Sequence, residues 1–473
     1  MQVRSPLSTT INSLLAPRVQ PLQATQNKSA AAAQPSAIVS LNNANVLPAV
    51  YSLNPAKTIN TAGLEYSQLS IQMSANVRGP QANAFQGLGK ALLEGLKDHP
   101  NGVTLSAVAE TEDAQARQPD RAVALTITTA SGINVSLGMT RNQNGLAVEL
   151  KTSGGELSEE ETAAIAGLAG AFQSALDGLS ADTPSLNVQG LMKFDSTLLK
   201  AVDLQTDVRK DTDSLQSLKF HADNSARAMS YKTDEVAFEL STDLSHPETV
   251  GSYGQQQQAL ASWASQLDSA RTRGQGDKNL IDMFKNSFMA LNSQYGSNET
   301  DNRLNIITRT NDNIVQENLS GLADYSANFK QADKSPNPLR KDERDSFAYS
   351  SSQRTERENA YNLSQKTTSH LQASYHQSLD KTLPLALTLE ASSQNYSYHQ
   401  IDDSSSTGTA LAFNDKGEVK SVTNTAEKHN VETVKKYNAG RLIEESRTPY
   451  DDEQTSSRAL IVDSLKVDHH SGR

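Results

Sequence analysis

Apolar residues fall into short runs of two different periods over the first 300 positions. Leu69, Ile71, Met73, Ala75 and Val77 alternate with polar residues, which predicts a half-buried strand where ordered structure begins, near Leu64. From Asn83 to Lys97 the spacing changes. Phe85, Leu88, Leu92, Leu93 and Leu96 recur at helical intervals, and His99-Pro100-Asn101-Gly102 closes the segment. Four short alternating runs follow, at Val103 to Ala109, Ala122 to Thr128, Ile133 to Met139 and Leu146 to Leu150. Turn residues in Ala130-Ser131-Gly132 and Asn142-Gln143-Asn144-Gly145 predict antiparallel pairing of neighbours, hence a small antiparallel sheet.

Ser158 to Leu179 carries one apolar stripe of Ile165, Leu168, Ala169, Phe172, Leu176 and Leu179, the pattern of a helix that covers one sheet face. Ser158 and Glu161 have capping-box spacing, and Glu159 and Glu160 add negative charge at the positive end of the helix dipole. A further helical pair is expected at Gln255 to Ala270 and Asn279 to Leu291, hinged at Gly274-Gln275-Gly276, with Trp263 as a packing anchor.

After Arg303 tyrosines concentrate and polar alternation dominates. Two words recur: Ala348-Tyr349-Ser350-Ser351-Ser352-Gln353-Arg354-Thr355 against Ala360-Tyr361-Asn362-Leu363-Ser364-Gln365-Lys366-Thr367 at an offset of 12, and Ser374-Tyr375-His376-Gln377 against Ser397-Tyr398-His399-Gln400 at an offset of 23. This spacing predicts a meander in which one strand and its turn take about a dozen residues. The fold class expected is α+β: a small antiparallel sheet covered by amphipathic helices (64–300), a β-rich extended meander with a polar tail (301–473), and a disordered N-terminal arm (1–63).

Composition supports the arm. Hydrophobic residues make up 36% of the 473-residue chain and aromatics 5%, below the usual globular share. Met1 to Leu64 hold no Asp or Glu, only Arg4, Arg18, Lys28 and Lys57, in a chain whose net charge is −11. Residues 81–300 carry 17 bases and 28 acids, which argues against nucleic acid as a partner, since that affinity comes from phosphates met by Lys and Arg. With no cysteine, disulfides, thiolate metal sites and cysteine nucleophiles are excluded. No run reaches the roughly 20 apolar residues of a membrane span, and polar residues interrupt the N-terminus where a cleaved secretory signal needs an apolar stretch. Export without such a signal is the reading that suits the arm.

Candidate chemistry is sparse. His370, His376 and His399 invite a metal reading, but along an extended strand they spread over about 20 Å. His469-His470 sit in a polar tail. Gly87-Leu88-Gly89-Lys90 lacks the third glycine and strand context of a dinucleotide loop, and both glycines fall inside the expected helix. Ser378-Leu379-Asp380-Lys381 has Ser-x-x-Lys spacing without companion motifs. Asn414-Asp415-Lys416-Gly417-Glu418 reads as a hairpin turn rather than a calcium loop. Asp402-Asp403 and Asp451-Asp452-Glu453 read as solvated loops. No catalytic, cofactor-binding or metal residue is assigned, and no cofactor. The sequence points to a non-enzymatic bacterial protein, associated with the envelope or an appendage or exported, that acts through interaction surfaces with protein partners. Two alternatives stand beside it: an enzyme whose site is assembled from distant positions, and an intracellular scaffold or chaperone-like partner that exposes the stripes of its helical pair.

Overall fold

The structure, a computed structural model, describes residues 68–98, 102–108, 120–142, 145–181, 184–209, 215–293 and 311–459. The acid-free arm, His99 and His469-His470 lie outside them. Fourteen strands form a single antiparallel sheet: β1 (Val103–Val108), β2 (Arg121–Thr129), β3 (Asn134–Arg141), β4 (Gly145–Ser153), β5 (Leu199–Arg209), β6 (Leu215–Asp223), β7 (Ala226–Lys232), β8 (Val236–Asp243), β9 (Asp324–Gln331), β10 (Ser346–Asn359), β11 (Asn362–Ser378), β12 (Tyr396–Phe413), β13 (Val419–Asn438) and β14 (Arg441–Ala459). The order across the sheet is β1-β4-β3-β2-β5-β6-β7-β8-β9-β10-β11-β12-β13-β14. The class is thus mixed α and β as expected, but the sheet is far larger than the small one the sequence suggested. It continues because β8 pairs with β9, joining the strands before residue 300 to those after it.

Helices cover one face. α1 (Gln68–Arg78), α2 (Leu88–Glu94), α3 (Glu159–Gly167) and α4 (Ala169–Ser180) lie over the β1–β6 part, and α5 (Tyr253–Gly274) with α6 (Lys278–Leu291) over β8 to β11. α7 (Asn311–Asn318) supports a small separate cluster, where Leu319 joins Leu363, Leu411, Phe413, Val419 and Val422 near the β12–β13 turn. Residues of α1–α6 and the inward-facing strand positions share one apolar core. Its centre is aromatic: Phe284 meets Phe238, Trp263 and Phe329 at ring-centroid distances of 5.5, 5.8 and 5.3 Å, and Trp263 stacks on Phe288 at 3.7 Å. Among described residues no helix is long and apolar enough to cross a membrane.

Several sequence expectations need correction. The strand expected at Leu69 to Val77 is the helix α1. Leu69, Met73 and Val77 also satisfy an i, i+4, i+8 spacing, and as a helix they meet the core while Ile71 is exposed. The helix expected over Asn83 to Lys97 is a seven-residue α2 flanked by 3₁₀ turns, and Gly87 is not inside it but caps it at φ 73°, a left-handed angle that glycine adopts without strain. Gly89 lies against Phe172, where a Cβ would come within 2.8 Å. Ser158 to Leu179 is two helices broken at Leu168, with the Ser158–Glu161 capping box in place. Gly167 and Gly170, poor helix formers, flank the break.

The meander after residue 324 exists, but its strands from β10 onward run 14 to 20 residues, not a dozen per strand and turn. The repeated words do not mark successive units. The words of the second pair face one another across β11–β12, and the first overlaps its copy at Gln353 to Thr355 against Gln365 to Thr367. Ser374-Tyr375-His376-Gln377 pairs antiparallel with Ser397-Tyr398-His399-Gln400 so that Tyr375 opposes His399 and His376 opposes Tyr398. Gln353 and Thr355 likewise oppose Thr367 and Gln365, and the Gln365 amide donates to the Thr355 hydroxyl at 3.0 Å. A word paired antiparallel with its own copy sets unlike residues opposite each other, here an aromatic on an imidazole and an amide on a hydroxyl.

Candidate functional site

Three polar arrangements stand out. The first is a cleft of about 970 Å³ where the last turns of α5 overhang β11–β13, lined by Ala264, Ser265, Asp268, Arg273, Tyr375 and Glu432 among others. Arg273 is placed by the end of α5. Its guanidinium donates to Asp403 on β12, one bond at 3.2 Å, and to Glu432 on β13 at 3.2 Å. The other oxygen of Glu432 meets His399 Nδ1 at 2.9 Å, and His399 Nε2 lies 3.0 Å from the Ser397 hydroxyl. The His399 ring stacks on Tyr375 at 4.7 Å and 7°. Burial works against the Glu432 charge, yet His399 and Arg273 hold its carboxyl below the ordinary range. On the helix side Lys285 bridges Asp268 at 2.8 Å and Asp282 at 3.0 Å. Polar side chains from four elements therefore converge, but each of these charged groups already neutralises another.

The second is sealed. The segment between β9 and β10 crosses the helix-free face and inserts Glu343, whose side chain is 8% exposed. Its carboxylate accepts from the hydroxyls of Tyr396 at 2.6 Å and Tyr437 at 2.8 Å, and lies 3.3 Å from His376 Nε2. The other ring nitrogen of His376 is 2.6 Å from Asp345. Asn337 donates to Tyr396 and to Gln394, both at 2.9 Å, and the Arg340 guanidinium sits 4.3 Å above the Tyr437 ring. Burial disfavours both charges, but the hydrogen bonds prevail: Glu343 is held below the ordinary carboxylate value and His376 above the ordinary histidine value. Tyr437 is pushed up to about 12 by burial and by Glu343. With the His376 side chain at 0% exposure, this cluster has the groups of an acid–base site and no access for a substrate. It locks the crossing segment onto β11–β13.

The third is the helix-free face itself. Register places Gln205, Lys219, Ser230, Glu239, Asn328, Ser350, His370, Ser404, His429 and Asp451 in one row from β5 to β14. At about 4.8 Å per strand the row spans roughly 43 Å. Its middle forms a shallow depression of about 280 Å³ walled by Glu239, Asn328, Lys330, Ser350, His370 and Gln372.

All six histidines among the described residues lie against a carboxylate: His221 with Asp203, His246 with Glu248, His370 with Asp402, His376 with Asp345, His399 with Glu432 and His429 with Asp451. His370, His376 and His399 are not brought together, and among described residues no group of three or more metal-ligating side chains is placed to hold an ion. Ser378 ends β11 and Lys381 lies in the following turn. Asn414–Glu418 is the β12–β13 turn, closed by Glu418 and Lys416 amides on Asn414 Oδ1 at 2.9 Å each. Asp402-Asp403 and Asp451-Asp452-Glu453 are strand residues, not loops, because the polar strands run further than their apolar alternation does. Glu343, Asn337 and Arg273 escaped the sequence reading altogether; the clustered tyrosines were the only signal near them. The helical stripes that a scaffold would expose are filled by the sheet, with Trp263 3% and Phe284 0% exposed. No family model, curated protein or solved structure matches this chain.

Proposed function

We propose that this chain is a non-enzymatic protein of the bacterial envelope, of a surface appendage or of the exported fraction, and that it works through its surfaces on protein partners. The observation that carries this reading is the roughly 43 Å polar row on a helix-free sheet face, a broad, shallow surface suited to a macromolecule rather than the enclosed concavity of a small-molecule site. The acid-free segment before Glu65 supplies the address. A second reading, an enzyme with a site assembled from distant residues, would use the α5 cleft, where side chains of α5, β11, β12 and β13 converge. The ion pairing of Arg273 and Glu432 leaves no unengaged base there, which favours the first reading.

The test is fractionation of the native bacterial host expressing the full chain or a chain lacking Met1 to Thr61. The full chain is expected in envelope or medium. The shortened chain is expected in the cytosol with an unchanged melting temperature. Equal export of both, or exclusive cytosolic residence of the full chain, refutes the proposal.

A further inference from the structure

Eleven large apolar side chains are exposed among the described residues, and six of them stand at one end of β11–β14: Leu339, Leu379, Leu383, Leu389, Leu442 and Ile443, between 37 and 70% exposed. They come from three segments, the β9–β10 crossing (332–345), the β11–β12 connection (379–395) and the start of β14. Hydrogen bonds tie these segments into one surface. The Arg340 guanidinium donates to the Gly440 carbonyl at 3.1 Å, the Gly440 amide to the Gln394 carbonyl at 3.0 Å and the Leu379 amide to the Asn395 carbonyl at 3.3 Å. Beneath it Leu385 and Leu387 pack on the buried rings of Tyr396, Tyr398 and Tyr437. None of the six outer side chains belongs to a core cluster, so packing inside the molecule does not account for them.

We propose that this end of the sheet docks on a lipid bilayer, with the six aliphatic side chains entering the boundary between headgroups and acyl chains. A cluster of exposed apolar side chains marks a contact site, and the composition of this one fits lipid better than protein. Protein contact surfaces concentrate Tyr, Trp, Met and Arg, and Leu is under-represented where their energy lies. Here all six are aliphatic. The exposed tyrosines Tyr253, Tyr361 and Tyr450 lie away from this end, at the start of α5, in the β10–β11 turn and in the middle of β14. Charge fits as well. Residues 332–345, 379–395 and 435–445 hold eight bases and eight acids, an even balance in a chain of net charge −11, which complements a surface of zwitterionic headgroups. Turns at the tip of long strands also let side chains enter that boundary while the backbone stays in water, as the polar groups of an irregular chain require. The inference goes beyond the proposed function, which assigned protein partners to the polar row.

The test is co-sedimentation of the full chain with phosphatidylcholine vesicles, a lipid without net charge, so that the bases before Leu64 find nothing to attract them. Binding is expected, changing by less than about twofold between roughly 0.05 and 0.5 M salt, because screening acts on charges and not on apolar insertion. Leu383→Ser combined with Leu389→Ser, the two most exposed of the six, should weaken it about tenfold or more with an unchanged melting temperature. Leu442→Ser combined with Ile443→Ser, on a separate segment, should act alike. Tyr361→Ser combined with Tyr450→Ser, also exposed but away from this end, should leave binding unchanged. No binding to these vesicles, binding that either aliphatic pair leaves intact, an equal loss in the tyrosine variant, or binding confined to anionic vesicles and abolished by salt overturns the proposal.

Discussion

One cross-strand row of the helix-bearing face runs Leu150, Leu137, Leu125, Leu204, Phe220, Met229, Leu240, Ala327 through eight strands and then Ser351, Ser369, Ser405, Lys428, Asp452 through the last five. The same sheet is thus built by two different physical arrangements. In the first, helices remove apolar side chains from water and the hydrophobic effect holds the layers together. In the second the central stretches of β12 and β13 lie under no apolar layer: none of residues 402–410 or 423–430 is buried, and what reaches Asp403 is the charged end of Arg273. There the long antiparallel ladder, cross-strand hydroxyl pairs and a few polar locks carry the structure. An uncovered sheet of this kind persists because it extends a covered one, each strand templating the next. Stability should therefore fall from the helix-covered part outward.

The largest effect is expected at Phe284. It is 0% exposed at the junction of α6 with β8 and β9, so Phe284→Ala should cost about 3–5 kcal/mol in chemical denaturation through lost burial and the cavity left behind. If a loss below about 1 kcal/mol were measured, the covered region would not be the stabilising half.

Next comes the lock. Glu343→Ala removes the acceptor of the Tyr396 and Tyr437 hydroxyls and leaves His376 with Asp345 as its remaining carboxylate. A loss of about 3 kcal/mol is expected, as for breaking a buried charged pair from one side. The distinguishing readout is local: amide exchange should rise in β11–β13 near Tyr396 and Tyr437 while α5 and α6 stay protected. Uniform loss of protection throughout the molecule would mean that the two regions unfold as one.

These two sites differ in how visible they were in the sequence. The helix-covered half was legible because burial on one face imposes a period, and the α5 and α6 stripes, the β2–β4 alternation and the Ser158 cap could be read directly. It misled where three residues, Leu69, Met73 and Val77, fit both periods, and where the single helices expected over Asn83 to Lys97 and Ser158 to Leu179 are interrupted near glycines. In the central stretches of β12 to β14 neither face is dry, so no period marks those strands, and the repeated Tyr-His words were mistaken for tandem units when they are hairpin partners. Glu343 was invisible because its partners lie 33 to 94 residues away.

A smaller effect is expected from pH. His376 has a raised pKa in the folded chain, so its contribution is full below the ordinary value of about 6.5 and is lost as pH rises through the raised one. Glu343 has a lowered pKa, so its contribution is full above about 4.3 and is lost as pH falls through the lowered one. Both are fully present only between these limits. The melting temperature should therefore decline from pH 6 to 9, and His376→Gln should flatten part of that decline. His221, raised by its hydrogen bond to Asp203, acts with the same sign in the covered half, so His221→Gln should flatten another part. An unchanged slope in both variants would detach the histidine–carboxylate pairs from stability.

The smallest effect tests whether hydroxyl pairs matter at all in the uncovered strands. Ser352 and Thr368 face each other across β10–β11 with hydroxyls 2.9 Å apart, and Ser369 meets Ser405 across β11–β12 at 2.8 Å. Cross-strand pairs of this kind contribute roughly 0.2–1 kcal/mol each. Because water competes for half-exposed hydroxyls, Ser352→Ala and Ser369→Ala should each lie near the bottom of that range. The two pairs occupy opposite faces and share no partner, so the double variant should be additive. A double loss well above the sum would instead show that the polar strands are a cooperative hydroxyl network, with the ladder leaning on side chains as the covered half leans on its core.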